Sequence, residues 1–306
     1  MENVIIYNLS KMHIWISFVL VVTMCAANAD GPYEEITAFD YHRRLGIPTA
    51  IRLRRTEEVN LIIDAIGAPG IVGGAQADIA EVPYQVGLVI SLLFLLSSVC
   101  GGSLISNNRV LTAAHCYSDG ILKANTFTVV MGSNKLFFGG LRIDTTDVSV
   151  HPDWNPTKIE NDLCILRIPI VAFTDVIKPI ALPSHESASN TFAGWTAIAS
   201  GYGFTSDNSS IRTGQLLSSV KLTVISNDEC ADFFGWELIQ DGNICTSGVN
   251  GQSTCRGDSG GPLAVYIKHD RVLIGVTSFG SRATCESGYP AAYSRVSYFL
   301  PWITSQ

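Results

Sequence analysis

Charged side chains are scarce in this sequence of 306 residues. Asp, Glu, Lys and Arg make up 15% of it, whereas 47% of the residues are hydrophobic. That balance supplies material for a core and is unlike the composition of disordered chains. The net charge is −7, and from residue 71 onward 19 acidic residues stand against 14 basic ones. Because no basic patch interleaved with aromatic residues is present, we do not expect nucleic acid as a partner.

Long apolar runs are absent too. Residues 86–99 (VGLVISLLFLLSSV) are apolar but include four Ser or Gly residues. The run is also shorter than the roughly 18 to 20 residues that span a membrane. Two buried strands joined by a tight turn at 92–96 fit it better. The alternative is a membrane or partner contact through this apolar turn; we expect no membrane association.

Motifs for metal binding and nucleotide binding are missing as well, and so are internal repeats. The sequence contains no HExxH, no pair of CxxC motifs and no P-loop, so we expect neither a metal nor a cofactor. No period of about 20 to 50 residues is visible, so a repeat architecture is not expected.

Three segments are visible along the chain. Residues 1–29 are typical of a secretory signal, because a basic stretch precedes a short apolar run and small residues that predict cleavage before Asp30. Residues 30–70 are polar and contain no cysteine. Residues 71–306 consist of short apolar or alternating runs separated by Gly, Asn, Asp and Ser, which predicts an all-β sandwich or barrel. One helix is predicted, at 298–304, with Pro301 in its first turn.

Eight cysteines are present, and that number suits an oxidising compartment. Cys25 would leave with the signal, so seven remain. An odd number requires that at least one is unpaired or pairs between molecules.

The strongest short motif is Gly257-Asp258-Ser259-Gly260-Gly261-Pro262. A serine among glycines can occupy an exposed turn, where its hydroxyl attacks a carbonyl and backbone N–H groups bind the oxyanion. Taken alone, the motif could equally be an ordinary Gly/Ser loop.

A serine nucleophile needs a base, and a catalytic histidine needs a buried carboxylate. His115 lies in a small-residue run next to Cys116, and Asp162 opens the apolar stretch 163–166. A strand-capping surface Asp is the alternative for Asp162. We interpret the remaining histidines as surface or structural residues; they are His13, His42, His151, His185 and His269.

Six motifs stand in one order: Ile71-Val72-Gly73-Gly74, Cys100-Gly101-Gly102-Ser103-Leu104, Leu111-Thr112-Ala113-Ala114-His115-Cys116, Asn161-Asp162-Leu163, the Ser259 motif and Pro301-Trp302-Ile303. Together they resemble the chymotrypsin-like serine peptidases over residues 71–306. Cys245-Thr246-Ser247-Gly248 and the pattern from Tyr41-His42 to Pro48 resemble insect digestive chymotrypsins. The resemblance implies two six-stranded antiparallel β-barrels packed together, a short C-terminal helix, and a catalytic site between the barrels.

The resemblance also implies roles for individual residues. Ser259 would be the nucleophile, His115 the general base and then acid, and Asp162 the orienting carboxylate, which Ser278 also bonds. The N–H groups of Gly257 and Ser259 would form the oxyanion hole.

Three disulfides are implied by the same resemblance, namely Cys100–Cys116, Cys230–Cys245 and Cys255–Cys285. Each should stabilise the fold by roughly 3 kcal/mol. Cys164 is left over, and we expect a buried, inert thiol there.

The substrate pocket follows from the resemblance as well. Its floor would be Ser253, and a hydroxyl cannot pair with a basic side chain as a carboxylate would. Gly280 would leave the entrance open for a ring, whereas Ala291 would add a methyl group deep in the slot. We therefore expect cleavage after Phe, Tyr, Leu or Met, with Trp disfavoured. Arg256 would lie at the rim as a solvated charge.

Residues 30–70 would then be an activation pro-segment, and Ile71 the new N-terminus, whose ammonium would pair with Asp258. In the family a basic residue usually precedes this isoleucine, whereas Gly70 stands here. Trypsin alone should therefore not activate the precursor.

We thus expect a secreted, extracellular, digestive endopeptidase that is made as a zymogen and acts as a monomer. Its partners would be protein or peptide substrates and an activating protease, with protein inhibitors as further candidates. The alternative is a secreted peptidase homologue that is never activated at Gly70–Ile71 and acts as a binding or regulatory protein. A third reading is a regulatory protease with a narrow protein target.

Overall fold

The computed structural model describes residues 36–65, 77–184, 186–187, 189–206, 216–282 and 284–306. The predicted signal peptide, the Gly70–Ile71 bond and His185 lie outside the described residues.

The first sheet contains seven antiparallel strands in the order β5-β4-β1-β2-β3-β7-β6. They are β1 (Gln85–Ser91), β2 (Ser97–Ser106), β3 (Arg109–Thr112), β4 (Thr126–Met131), β5 (Leu141–Thr145), β6 (Val148–Val150) and β7 (Cys164–Arg167). The predicted count of six was wrong for this sheet, because the three-residue β6 adds a further partner to β7.

The second sheet is a closed barrel of six antiparallel strands in the order β10-β13-β12-β11-β8-β9, as the fold prediction required. The strands are β8 (Thr196–Gly201), β9 (Ser218–Ile225), β10 (Asn243–Thr246), β11 (Pro262–Ile267), β12 (Asp270–Gly280) and β13 (Ala291–Arg295). Together with the first sheet and the terminal helix, the barrel confirms the predicted all-β fold class.

The apolar run at 86–99 forms the hairpin of β1 and β2, which pair from Gln85 with Ser103 to Ser91 with Ser97. A 3₁₀ turn at Leu93–Leu95 joins them, and Leu95 is fully exposed with φ 73°. The prediction of two strands and a tight turn is therefore confirmed. Among the described residues, no helix is both long and apolar enough to cross a membrane.

Among the described residues, three α-helices flank the sheets: α1 (Ile47–Ala65), α2 (Asn227–Phe234) and α3 (Val296–Ser305). The predicted terminal helix thus begins two residues early, and the placement of Pro301 in its first turn was wrong. Helix α3 starts directly after β13. Its first residue, Val296, is already buried together with Phe299 and Ile303, so the apolar face of the helix begins there.

Helix α2 was not predicted, although its sequence carries a start signal. The Ser226 hydroxyl accepts a hydrogen bond from the Glu229 backbone N–H, and the Glu229 carboxylate accepts one from the Ser226 backbone N–H. This reciprocal pair is the capping box, which satisfies two backbone donors at a helix N-terminus.

Helix α1 lies in the polar front segment and follows a π-helical turn at His42–Gly46. Ala50, Leu53, Thr56 and Glu57 are buried on one face of α1, which packs against β2. The front segment is therefore integrated into the fold rather than extended in solvent.

Candidate active site

His115 and Asp162 come from neighbouring strands of the first sheet. His115 lies in a 3₁₀ turn, Ala114–Cys116, that follows β3, and Asp162 lies just before β7. Because β3 pairs with β7, the two residues are held at one end of the sheet. The distance from His115 Nδ1 to Asp162 Oδ2 is 2.7 Å, and both side chains are buried.

The Asp162 carboxylate accepts three hydrogen bonds. Oδ2 accepts from His115 Nδ1 at 2.7 Å and from the Ser278 hydroxyl at 2.6 Å, and Oδ1 accepts from the His115 backbone N–H at 2.8 Å. Burial by itself would raise the pKa of Asp162, but His115 and these hydrogen bonds hold that pKa below its ordinary value. The carboxylate is therefore ionised at neutral pH and fixes the His115 ring. It is not the exposed strand cap that the sequence left open.

Ser259 lies on the loop that enters β11. Gly257 and Gly260 on either side of it have φ of 101° and 78°, a region that residues with a Cβ rarely adopt. The backbone is tied to the first sheet, since Gly101 N–H donates to the Ser259 carbonyl at 2.7 Å. The two glycines thus give the serine a tight turn between the two sheets.

Asp258 is partly buried beside Ser259 and accepts hydrogen bonds from the backbone N–H groups of Cys255 and Gly203, each at 2.9 Å. Burial raises the pKa of Asp258 to about 6. No Lys, Arg or His in the described part of the chain forms an ion pair with it. An ionised carboxylate that is shielded from water costs free energy until a cation pairs with it.

Gly201 and Gly203 make room for Asp258. A Cβ at Gly201 or Gly203 would collide with its carboxylate. In the sequence, Gly201-Tyr202-Gly203 is only half of a GxGxxG nucleotide motif and by itself predicts no function. Only the packing of this strand end against Asp258 shows what the glycines do.

The pKa of Asp258 makes the stability of the precursor depend on pH. A raised pKa means that the folded chain holds the proton more tightly than the unfolded chain, whose value is 3.8. Protonation of Asp258 therefore adds to the free energy of unfolding, and this stabilisation is complete below about pH 4. It is lost as the pH rises through about 6, by about 3 kcal/mol in total. Urea unfolding at pH 4.5 and 7.5 should show this loss in the precursor but not in Asp258→Asn. Equal pH slopes in the two proteins would contradict it.

A cavity of about 250 Å³ opens beside Ser259. Its lining includes Ser253, Arg256, Ser278 and Gly280 among the predicted pocket residues. Ala291 does not line it but is buried directly behind, paired with Gly280 in the sheet. Within the described part of the chain, no carboxylate lines the cavity.

The structure contains the three disulfides that the resemblance implied: Cys100–Cys116, Cys230–Cys245 and Cys255–Cys285. The first ties the His115 turn to β2, and the third joins the loop before Ser259 to the pocket wall. Cys164 is buried and unpaired, as predicted, and its thiol contacts the Ala113 carbonyl. Burial and the nearby Asp162 raise the pKa of the Cys164 thiol well above its ordinary value, so it remains protonated and inert.

The described residues contain one close group of potential metal ligands, formed by Cys100, His115 and Cys116. The two sulfur atoms are bonded to each other in a disulfide, so they cannot act as thiolate ligands. The group is therefore explained by the disulfide that anchors the histidine turn.

Residues of the front segment also reach the site, which sequence reasoning missed. Thr37, Tyr41, Arg44 and Leu45 line the same cavity as Ser259. His42, interpreted as surface or structural, is fully buried and bonds the Ser98 hydroxyl through Nδ1 at 2.9 Å. The only available signal was the aromatic-histidine pair Tyr41-His42 in an otherwise polar segment.

A seven-stranded sheet beside a closed six-stranded barrel, with a His–Asp pair and a glycine-flanked serine, defines a serine protease of the chymotrypsin type. In agreement, residues 71–303 match the family model named Trypsin. The chain belongs to the trypsin family of serine proteases.

Several characterised proteins are similar to this chain. Brachyurin of Leptuca pugilator is 38% identical over 240 residues, covering 77% of this chain and 98% of brachyurin. Collagenase of Hypoderma lineatum is 39% identical over 233 residues, covering 76% and 85% of the two chains. Among solved structures, HL collagenase superposes with a TM-score of 0.69 at 38% identity, covering 77% of this chain and 97% of that one.

Proposed function

We propose that this protein is a secreted digestive endopeptidase, made as a zymogen, that cleaves after large apolar residues. The carrying observation is the buried Asp162–His115 pair, whose neighbour Cys116 contacts the Ser259 carbonyl, next to a cavity with no carboxylate among its described lining residues. Three disulfides support an oxidising, extracellular location. The absence of cysteines in the front segment gives no sign of an accessory binding module, which favours digestion over narrow regulation.

The roles of the three residues follow from their chemistry. His115 Nε2 would take the proton of Ser259 as the hydroxyl attacks the peptide carbonyl, because Nδ1 already holds its own proton toward Asp162. The imidazolium that forms would be stabilised by the Asp162 carboxylate and would then protonate the leaving amine. The N–H groups of Gly257 and Ser259 would stabilise the oxyanion; losing one such donor typically costs about 3 to 4 kcal/mol in the barrier.

The cavity supports apolar specificity. Ser253 offers a hydroxyl where a basic substrate side chain would need a carboxylate. Arg256 and Arg282 also line the cavity, and their positive charges would repel a basic side chain. Ala291 behind the wall supports the preference for Phe, Tyr, Leu and Met over Trp, although one methyl group shifts selectivity by only about 1 to 3 kcal/mol.

Matched peptides with Phe or Arg before the scissile bond should therefore differ in kcat/KM by at least about 100-fold in favour of Phe, because only Arg would leave a buried charge unpaired. The measurement uses the matured protein and fluorogenic peptides identical at every other position. Faster cleavage of the Arg peptide would overturn the assignment of the pocket.

Zymogen activation is supported by the partly buried Asp258, which has no cation partner among the described residues, and by the start of the family match at residue 71. The Ile71 ammonium would supply that partner after cleavage. Gly70→Arg should make the precursor activatable by trypsin, whereas the natural chain should remain inactive under the same treatment. N-terminal sequencing of the treated protein checks that the new end is Ile71; activation of the natural precursor by trypsin alone would count against the proposal.

A further inference from the structure

The front segment pairs with one edge of the substrate cleft through a single β-bridge and two further hydrogen bonds. Ile36 forms an antiparallel bridge with Ser281, Thr37 N–H donates to the Gly280 carbonyl at 3.2 Å, and Gly280 N–H donates to the Thr37 hydroxyl at 3.0 Å. Gly280 and Ser281 line the specificity cavity. Main-chain bonds of this kind are how an extended peptide joins an exposed strand edge, so the segment occupies backbone positions that a substrate would use.

Tyr41 then covers the catalytic pair. Its side chain is buried and its ring meets the His115 ring edge-on, with centroids 4.9 Å apart. Its hydroxyl donates to the Val99 carbonyl at 2.7 Å and lies close to the Ser259 side chain. His115 Nε2 is buried and has no hydrogen-bond partner among the described residues. The bond between base and nucleophile that catalysis requires is thus replaced by contacts with Tyr41.

The segment is shaped so that it is not a good substrate. A substrate must remain extended through the scissile bond, whereas Asp40 has φ 55° and a helical turn begins at His42. The Asp40 carboxylate, buried and bound to Arg43 and Arg44 at 2.7 Å each, holds this bend. Asp119 fixes it from the protease side, because its carbonyl accepts Asp40 N–H and its carboxylate accepts His42 N–H.

Helix α1 anchors the segment beyond the cleft. Both oxygens of Glu57 accept backbone N–H groups, from Leu136 at 2.7 Å and from Phe137 at 2.9 Å. The Arg52 guanidinium lies 4.5 Å from the centre of the Phe204 ring, within cation–π range. Thr49 packs against Gly257, whose N–H is assigned to the oxyanion hole. The interface therefore covers the nucleophile loop as well as the pocket.

None of these contacts involves the Gly70–Ile71 bond, so cutting that bond leaves them in place. We propose that residues 36–65 are an inhibitor of this protease's own cleft, which remains bound after cleavage and must dissociate before substrate can enter. This inference rests on the proposed function. Activation then has two steps, cleavage and release, and the free segment inhibits the matured protease by competing with substrate.

The full chain tests this when residues 66–70 are replaced by Asp-Asp-Asp-Asp-Lys, the sequence after which enteropeptidase cuts. After complete cutting, the segment should co-elute with the protease at one to one, and peptide hydrolysis should stay low until dilution releases it. The isolated segment, added back to the matured protease, should inhibit peptide hydrolysis in competition with the substrate and should itself remain uncut.

Tyr41→Ala should raise the dissociation constant of the segment by at least about 30-fold, the loss typical of a buried aromatic anchor. In this variant, peptide hydrolysis should begin as soon as the chain is cut, without dilution. Ile62→Ala, at an exposed position of α1, is the matched control and should change nothing. Full activity at the moment of cutting with the segment still bound, or rapid cleavage of the segment within 36–45, would overturn the proposal.

A readout without catalysis separates this proposal from the proposed function. In the Ser259→Ala background, a fluorescent segment should bind the cut protein and be displaced by a Phe peptide. Binding that the peptide does not displace would place the segment elsewhere and overturn the inhibitor proposal. Displacement together with a wild-type mature protein that hydrolyses nothing would instead overturn the endopeptidase proposal and leave this one standing.

Discussion

Ser259→Ala should lower kcat for peptide hydrolysis by the matured protein by about 10⁶-fold, with KM little changed, because only the reacting oxygen is removed. The variant should fold, since the loop is held by its backbone: the Ser259 carbonyl accepts Gly101 N–H, and the neighbouring glycines set the turn. The residual rate would come from the oxyanion hole and from binding alone. Steady-state kinetics on the Phe peptide measures the loss.

Ser287→Ala is a suitable control, because Ser287 is an exposed serine on the loop before β13. A serine-directed organophosphate should label the matured wild-type protein and Ser287→Ala with one equivalent, and should leave Ser259→Ala unlabelled. This experiment also decides between enzyme and binding protein. A chain correctly cut at Ile71 and freed of its segment that still refuses the reagent would be a non-catalytic homologue.

The sequence was most informative for candidate site residues that lie within short contiguous motifs. Ser259 could be located because tight turns need glycines around the nucleophile, and His115 because a small-residue run surrounds it. The pairing of His115 with Asp162, 47 residues apart, is not visible in the sequence by itself. It results from the neighbouring positions of β3 and β7, and the resemblance supplied it.

The front segment shows where such reasoning stops. Gly46 and Pro48 resemble helix breakers, yet Gly46 lies where an added Cβ would overlap the Ser98 hydroxyl, and Pro48 lies in the first turn of α1, where a missing N–H is tolerated. The buried face of α1 includes Thr56 and Glu57, so its apolar periodicity is broken. The Thr56 hydroxyl donates to the Arg52 carbonyl within the helix, whereas Glu57 is buried because the backbone N–H groups of Leu136 and Phe137 bind its carboxylate. The partners of Glu57 are distant in the sequence, so its burial could not be predicted from the local pattern.

Asp162→Asn should lower kcat by about 10⁴-fold while leaving the geometry of the site intact, the effect known for this substitution in the family. The structure supplies the reason. The His115 backbone N–H holds Oδ1 as an acceptor, so the amide nitrogen must occupy the position of Oδ2, facing His115 Nδ1. An NH₂ there donates to Nδ1 and forces the proton onto Nε2, which can then no longer accept the proton of Ser259.

The hydroxyl of Ser278 can accept from the same NH₂, so nothing in the site resists this orientation. A structural role alone would predict lost stability; a tautomer effect predicts unchanged unfolding by urea together with the loss, from the proton spectrum, of the downfield His115 Nδ1–H resonance. Asp153→Asn, at an exposed aspartate nearby, should alter neither. If Asp162→Asn kept most of its activity, the carboxylate would not be setting the tautomer, and the assignment of His115 as the base for Ser259 would have to be abandoned.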